Sequence, residues 1–216
     1  MIRVLQPFAL AALCLALAPA PAGAAEAGKD IREIGVGMKV SELPQSGYVE
    51  LLCVDAPDKK LDNWEGFAQC PANSEGEREV RFQFDDSDDP RAKFNDRSRG
   101  TKIGGHPVLI SLLISNARTV SGILIETDPN VRLFMKKKAF LMGEQIRQRY
   151  GEDGWTCANI AKDAGEAPVG GEFVKERCEK TAGDRRYVFE RRLFLRAGQQ
   201  LKDFVSSTRL AIFKKT

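Results

Sequence analysis

The chain has 216 residues, 43% of them hydrophobic and 29% charged, with a formal net charge of +3 and one histidine. A single histidine excludes histidine-rich metal sites and makes any Ser/His or Cys/His catalytic arrangement depend on His106. No apolar stretch approaches the ~20 residues that a transmembrane helix needs.

The first segment reads as an export signal. Arg3 supplies a positive start, residues 8–17 are apolar and rich in Ala and Leu, and small residues follow, so cleavage is expected near Ala24 or Ala25. Leu13 precedes Cys14, where a lipidation signal wants a small residue, which argues against a lipid anchor. Residues 1–25 are thus read as a signal peptide. Residues 26–216 are read as a soluble periplasmic protein, either one compact domain or two subunits, 26–126 and 127–216.

Four cysteines remain after cleavage: Cys53, Cys70, Cys157 and Cys178. An even count in an oxidising compartment favours two disulfides. Pairing Cys53 with Cys70 and Cys157 with Cys178 closes two short polar loops, whereas crossed pairings join segments about a hundred residues apart. A four-thiolate zinc site is the competing reading, weakened by the absence of CxxC spacing. Charge is uneven: residues 26–100 carry 17 acidic and 11 basic side chains, residues 101–216 carry 13 and 21. Two solvated faces of opposite sign would produce this, and so would a bipolar surface that steers an acidic partner.

In chain order, residues 26–30 are a polar start, and Ile34, Val36 and Met38 then alternate with smaller residues. Ser41-Glu42-Leu43 reads as one helical turn stopped by Pro44. Residues 48–54 are a strand candidate and 55–62 a polar loop, and Trp64 is expected to cover the first disulfide. Over 79–85, Val80, Phe82 and Phe84 alternate with Glu79, Arg81, Gln83 and Asp85, the pattern of a half-buried strand. A charged loop spans 86–105. Residues 108–114 and 120–125, separated by Ser115-Asn116-Ala117-Arg118, form a hairpin.

A helix follows, with Asp128 as N-cap, Pro129 in its first turn and Gly151 as C-cap. Val131, Phe134, Met135, Ala139, Met142, Ile146 and Tyr150 fall on one apolar face at helical spacing. Further strands are expected over 172–178, 186–196 and 210–213. The expected class is α+β: an antiparallel sheet with one long amphipathic helix, or two tandem helix-plus-sheet units.

Chemistry-bearing motifs are few. No Gly-x-Ser-x-Gly elbow occurs, and residues 100–105 lack the Lys-Ser/Thr ending of a phosphate loop. His106, in Gly104-Gly105-His106-Pro107, reads as a structural turn residue. Asp85, Asp86, Asp88 and Asp89 are dense enough in oxygen for a hard cation such as Ca²⁺. An EF-hand counted from Asp86 needs glycine sixth and glutamate twelfth, where Arg91 and Arg97 stand; a solvated acidic loop is the other reading. Arg132, Lys136, Lys137 and Lys138 crowd the central helix. In an exported protein such charge suits anionic lipid headgroups or an acidic protein better than nucleic acid. A solvated helix face is the alternative.

Gly35-Val36-Gly37-Met38-Lys39-Val40, followed by Cys53 and Cys70, resembles the opening of a repeat in the β-lactamase-inhibitor-protein family. Those repeats carry a Gly-Met segment, a short helix and a cysteine pair ahead of antiparallel strands. Small outer-membrane-assembly lipoproteins are similar. The second half offers a helix, then Gly154-Trp155-Thr156-Cys157 and Cys178, in comparable order, but lacks a second Gly-Met segment and has a longer, more basic helix. The resemblance is one of layout over most of the mature chain. It implies a tandem protein-binding fold without catalysis, and no binding residue carries over. The expectation is a non-enzymatic periplasmic protein, without cofactor, that binds another protein or an envelope component. The alternative is a small-ligand or hard-cation binder using Asp85, Asp86, Asp88 and Asp89.

Overall fold

The computed structural model describes residues 29–86 and 101–215. The signal-peptide reading, Asp88, Asp89 and most of the charged loop lie outside the described residues. The first half of the sheet contains β1 (Tyr48–Cys53), β2 (Ala56–Lys60), β3 (Arg78–Phe84), β4 (Lys102–Ile103), β5 (His106–Ile114) and β6 (Val120–Thr127). One helical segment follows, made of α1 (Leu133–Lys138), a 3-10 turn (Ala139–Leu141) and α2 (Met142–Tyr150). The second half contains β7 (Thr156–Asn159), β8 (Val174–Ala182), β9 (Arg185–Phe194) and β10 (Val205–Lys214).

All neighbouring strands pair antiparallel in the order β2-β1-β3-β5-β6-β10-β9-β8-β7, with β4 on β5 outside that path. The sheet is open and strand and bridge residues make up 45% of the described residues, so the described protein is mostly β with a single 18-residue helical stretch. That corrects the more even α+β balance expected from the sequence. The order β1-β3-β5-β6 runs inward to the centre and β7-β8-β9-β10 does the same from the other edge, meeting where Gly122–Glu126 pairs with Phe213–Arg209.

The period-two patterning gives the sheet one covered face. Val80, Phe82, Ile110, Leu112, Ile123, Ile125, Tyr187, Phe189, Leu210 and Ile212 share a core with Met142 and Ile146 of α2, with Ile34 and Val36 of the N-terminal segment, and with Trp64. Trp64 is buried in the 3-10 turn Trp64–Gln69, edge-on to Phe82 at 5.1 Å, and its indole N–H donates to the Pro44 carbonyl at 2.8 Å. Gly143 lets α2 close on the sheet: a Cβ there would meet Arg191 Cδ at 3.2 Å and the Phe189 ring at 3.3 Å.

The helix differs from its sequence reading at its start. Asp128 Oδ1 accepts from the Asn130 amide at 2.8 Å within a turn, and α1 begins only at Leu133, with Arg132 at the cap. Asp128 spends its side chain on a local Asx turn instead of a cap. Phe134, placed on the apolar face by its spacing, is 66% exposed. Regular helical spacing already sets Phe134 about 120° from the buried Ile146, twelve positions on, and the 3-10 turn Ala139–Leu141 adds to that offset. Three residues at 120° in place of 100° rotate α1 against α2 by about 60°.

Candidate binding surfaces

The four cations noted in the sequence gather at one end of the molecule. Arg132 caps α1, its carbonyl accepting from the Met135 and Lys136 amides at 2.8 and 2.9 Å. Lys138 Nζ stands 4.2 Å from the centre of the Phe134 ring, one turn back, and Lys136 Nζ stands 5.4 Å from that of Phe204. Among the described residues, none of Arg132, Lys136, Lys137 and Lys138 forms an ion pair. Beneath them Phe140 packs with Val169, Leu193 and Phe204 in a small second core, and Thr208 Oγ1 donates to the Ala139 carbonyl at 2.9 Å.

The arginines of the outer sheet are spent on their neighbours. Arg177 pairs with Glu179 and Glu190, both at 2.9 Å, Arg186 with Glu179 at 2.8 Å, and Arg192 with Glu190 at 2.7 Å. Cross-strand register builds this ladder, since Glu126 faces Arg209, Arg209 faces Glu190 and Glu190 faces Arg177. The hydrogen bonds from Arg186 and Arg177 hold the Glu179 carboxyl below its ordinary pKa of 4.5. This ladder lies on the face of the sheet opposite the helix. Leu113, Leu124 and Val188 share that face, with Phe213 and Leu113 closing over Gly122 at 3.0 and 3.1 Å from where a Cβ would sit. Leu113, Leu124 and Val188 are themselves buried there, and at the β9 end Phe173 stacks on the buried Phe194 at 5.9 Å, while Arg209 and Glu126 are exposed.

The acidic cluster is only partly described. Asp86 Oδ1 accepts from Arg32 Nη2 at 2.8 Å, and that guanidinium also lies 4.0 Å over the Phe84 ring. A cation at Asp86 would therefore face a resident positive charge. His106 sits opposite Ile103 in the β4–β5 pairing, and burial together with the Lys138 charge pushes its pKa below 6.5.

Cys53 is bonded to Cys70 and Cys157 to Cys178, 17 and 21 positions apart. The four sulfurs thus form two separate bonds, one near each edge of the sheet, which removes the four-thiolate zinc reading. Cys157, Glu176 and Cys178 come together, but both sulfurs are in the disulfide. Arg147 Nη2 also lies 3.4 Å from Cys157 Sγ and 3.6 Å from Glu176 Oε2.

Two features escaped sequence reasoning. Asp30 and Arg185, 155 positions apart, form a buried ion pair in which Arg185 Nε donates to both carboxylate oxygens at 2.9 and 3.0 Å. Nothing local in the sequence joins them. Burial, helped by the Asp30 charge, pushes the neighbouring Tyr187 up to about 12, so its phenol stays neutral. The second feature is a cavity of about 240 Å³ between helix and sheet, lined by Phe84, Ile103, Ile125, Met142, Ile146 and Leu210, with Arg32 and Arg149 beside it.

Among the described residues no helix is long and apolar enough to cross a membrane. Comparison with known protein families, with characterised proteins and with solved structures finds no match for this chain.

Proposed function

We propose that this chain is a non-catalytic exported protein that binds another protein of the cell envelope through the open face of its sheet. The observation that carries this reading is that face: exposed Arg177, Arg209 and Glu126 and half-buried Glu190 and Phe213 form a cross-strand row over the buried Leu124 and Val188. An antiparallel sheet with one face on the core leaves its other face to water or to a partner. The inward strand order of the two halves, each preceded by a helical turn or helix and each with its own disulfide, supports a tandem layout like that implied by the resemblance. Two disulfides support an oxidising compartment, which for a chain opening on an export signal is the periplasm.

A photo-crosslinking residue at Phe213 or Arg209, followed by recovery from envelope extract, tests the reading. One specific partner crosslinked from these positions and not from Lys60, on the edge strand β2, is the expected result. Absence of any specific crosslink, together with turnover of a substrate that His106→Ala abolishes, would reverse it.

A further inference from the structure

Five large apolar side chains are exposed among the described residues, and four of them converge on one end of the molecule. Val49 is elsewhere, on β1. Leu133 and Phe134 are exposed at the start of α1, and Leu141 is exposed at the end of the 3-10 turn that follows it. Leu201, 67% exposed, begins the 3-10 turn Leu201–Asp203. Phe204 follows that turn directly and is packed against Phe140, under Lys136, which brings the turn alongside α1. Residues 132–141 and 201–204 carry five cations (Arg132, Lys136, Lys137, Lys138 and Lys202) against one carboxylate, Asp203. None of the five is ion-paired among the described residues, in contrast to the arginines of β8 and β9.

We propose that this end docks on the surface of an anionic phospholipid bilayer. Leu133, Phe134, Leu141 and Leu201 enter the boundary between headgroups and acyl chains, and the five cations meet lipid phosphates. Three properties favour a bilayer over a protein. The exposed apolar side chains stand among charges. Four of the five cations are lysines, which protein interfaces use sparingly and whose long stems lie along an apolar boundary while the ammonium reaches water or phosphate. Exposed apolar and basic residues together at the end of a helical segment that rests on a packed base match an interfacial segment. The surface is distinct from the open sheet face, so the proposal stands or falls separately from the protein-binding reading.

Co-sedimentation of the purified protein with vesicles tests it, comparing equimolar phosphatidylglycerol and phosphatidylcholine with phosphatidylcholine alone at low and physiological salt. Binding is expected only to the anionic vesicles and should weaken with salt. Each lysine near such a surface is worth roughly five-fold in affinity, so replacing Lys136, Lys137 and Lys138 by Gln should weaken binding about a hundred-fold. Phe134→Ser should also weaken it while leaving the melting temperature unchanged, because Phe134 is exposed. Phe134→Trp should gain fluorescence quenching by brominated lipid. No binding to anionic vesicles, or binding that neither set of substitutions alters, would overturn the proposal. So would self-association, or capture of an acidic protein, that Phe134→Ser abolishes without any vesicle binding. Crosslinking from Phe213 should be the same in the Phe134→Ser protein, which separates the two surfaces.

Discussion

Replacing Asp30 by Ala should destabilise the protein far more than its place near the start of the described chain suggests. Asp30 is buried and accepts three hydrogen bonds: two from Arg185 Nε, at 2.9 and 3.0 Å, and one from the Val36 amide at 2.7 Å. The substitution leaves the buried Arg185 guanidinium with only Asp184, at 2.7 Å, and the Val36 carbonyl, at 3.0 Å. It also orphans the Val36 amide. Breaking a buried ion pair from one side costs about 3–5 kcal/mol. For a domain of this size that corresponds to a fall in melting temperature of about 6–20 °C. Removing both partners, with Asp30→Ala and Arg185→Met together, should cost less than the sum of the single changes, because no unpaired charge then remains. Urea unfolding of wild type, both single variants and the double variant closes the cycle. A loss below about 1 kcal/mol for Asp30→Ala, or strict additivity, would refute the reasoning, since the pair would then contribute no more than a surface ion pair.

Reduction should lower the melting temperature, each bridge contributing about 3 kcal/mol for loops of 17 and 21 residues; non-reducing peptide mapping should recover Cys53 with Cys70 and Cys157 with Cys178. Glu179 has a folded pKa below 4.5, held down by Arg186 and Arg177, so its stabilisation is complete above that unfolded value and is lost as pH falls through the lower folded one. Glu179→Gln should flatten the acid side of a plot of urea midpoint against pH and leave its neutral side parallel to wild type. Gly143→Val should cost about 1–3 kcal/mol by pushing α2 off Arg191 and the buried Phe189 ring, read as a lower urea midpoint with an unchanged slope.

How much was legible depended on whether a residue's role is decided near it in the chain. In β3, Val80, Phe82 and Phe84 alternate with charge because one face meets the core, and that pattern was plain. The hairpin of β5 and β6 was equally clear. β10 was seen only from Leu210 onward, although it starts at Val205, because Ser206 and Thr208 occupy core-facing positions. Thr208 is tolerated there since its hydroxyl bonds the Ala139 carbonyl across 69 positions, which no local pattern records. β2, over Ala56–Lys60, read as a polar loop; it is an edge strand, where Pro57 and two lysines are at home. β7 is exposed throughout and had no alternation to reveal it. The basic cluster could be read from Arg132, Lys136, Lys137 and Lys138. Its apolar companion Phe134 could not, because an aromatic residue in an amphipathic helix reads as core, whereas it is 66% exposed.

The meeting of β6 with β10 places the final strand of the described chain at the middle of the sheet. Synthesis delivers a polypeptide from its N-terminus, so β6 is complete some eighty residues before the strand that becomes its second neighbour. Until β10 is made, the inner edges of β6 and β9 lack the strand that pairs with both. Such pairing across long sequence distance is slow, and exposed edges invite association with other chains. The arrival of Val205–Lys214 closes both edges in one event, bonding to β6 on one side and β9 on the other. A chain shortened by those ten residues would keep most of its apolar side chains and both disulfides, yet would be held indefinitely at the stage most prone to aggregate.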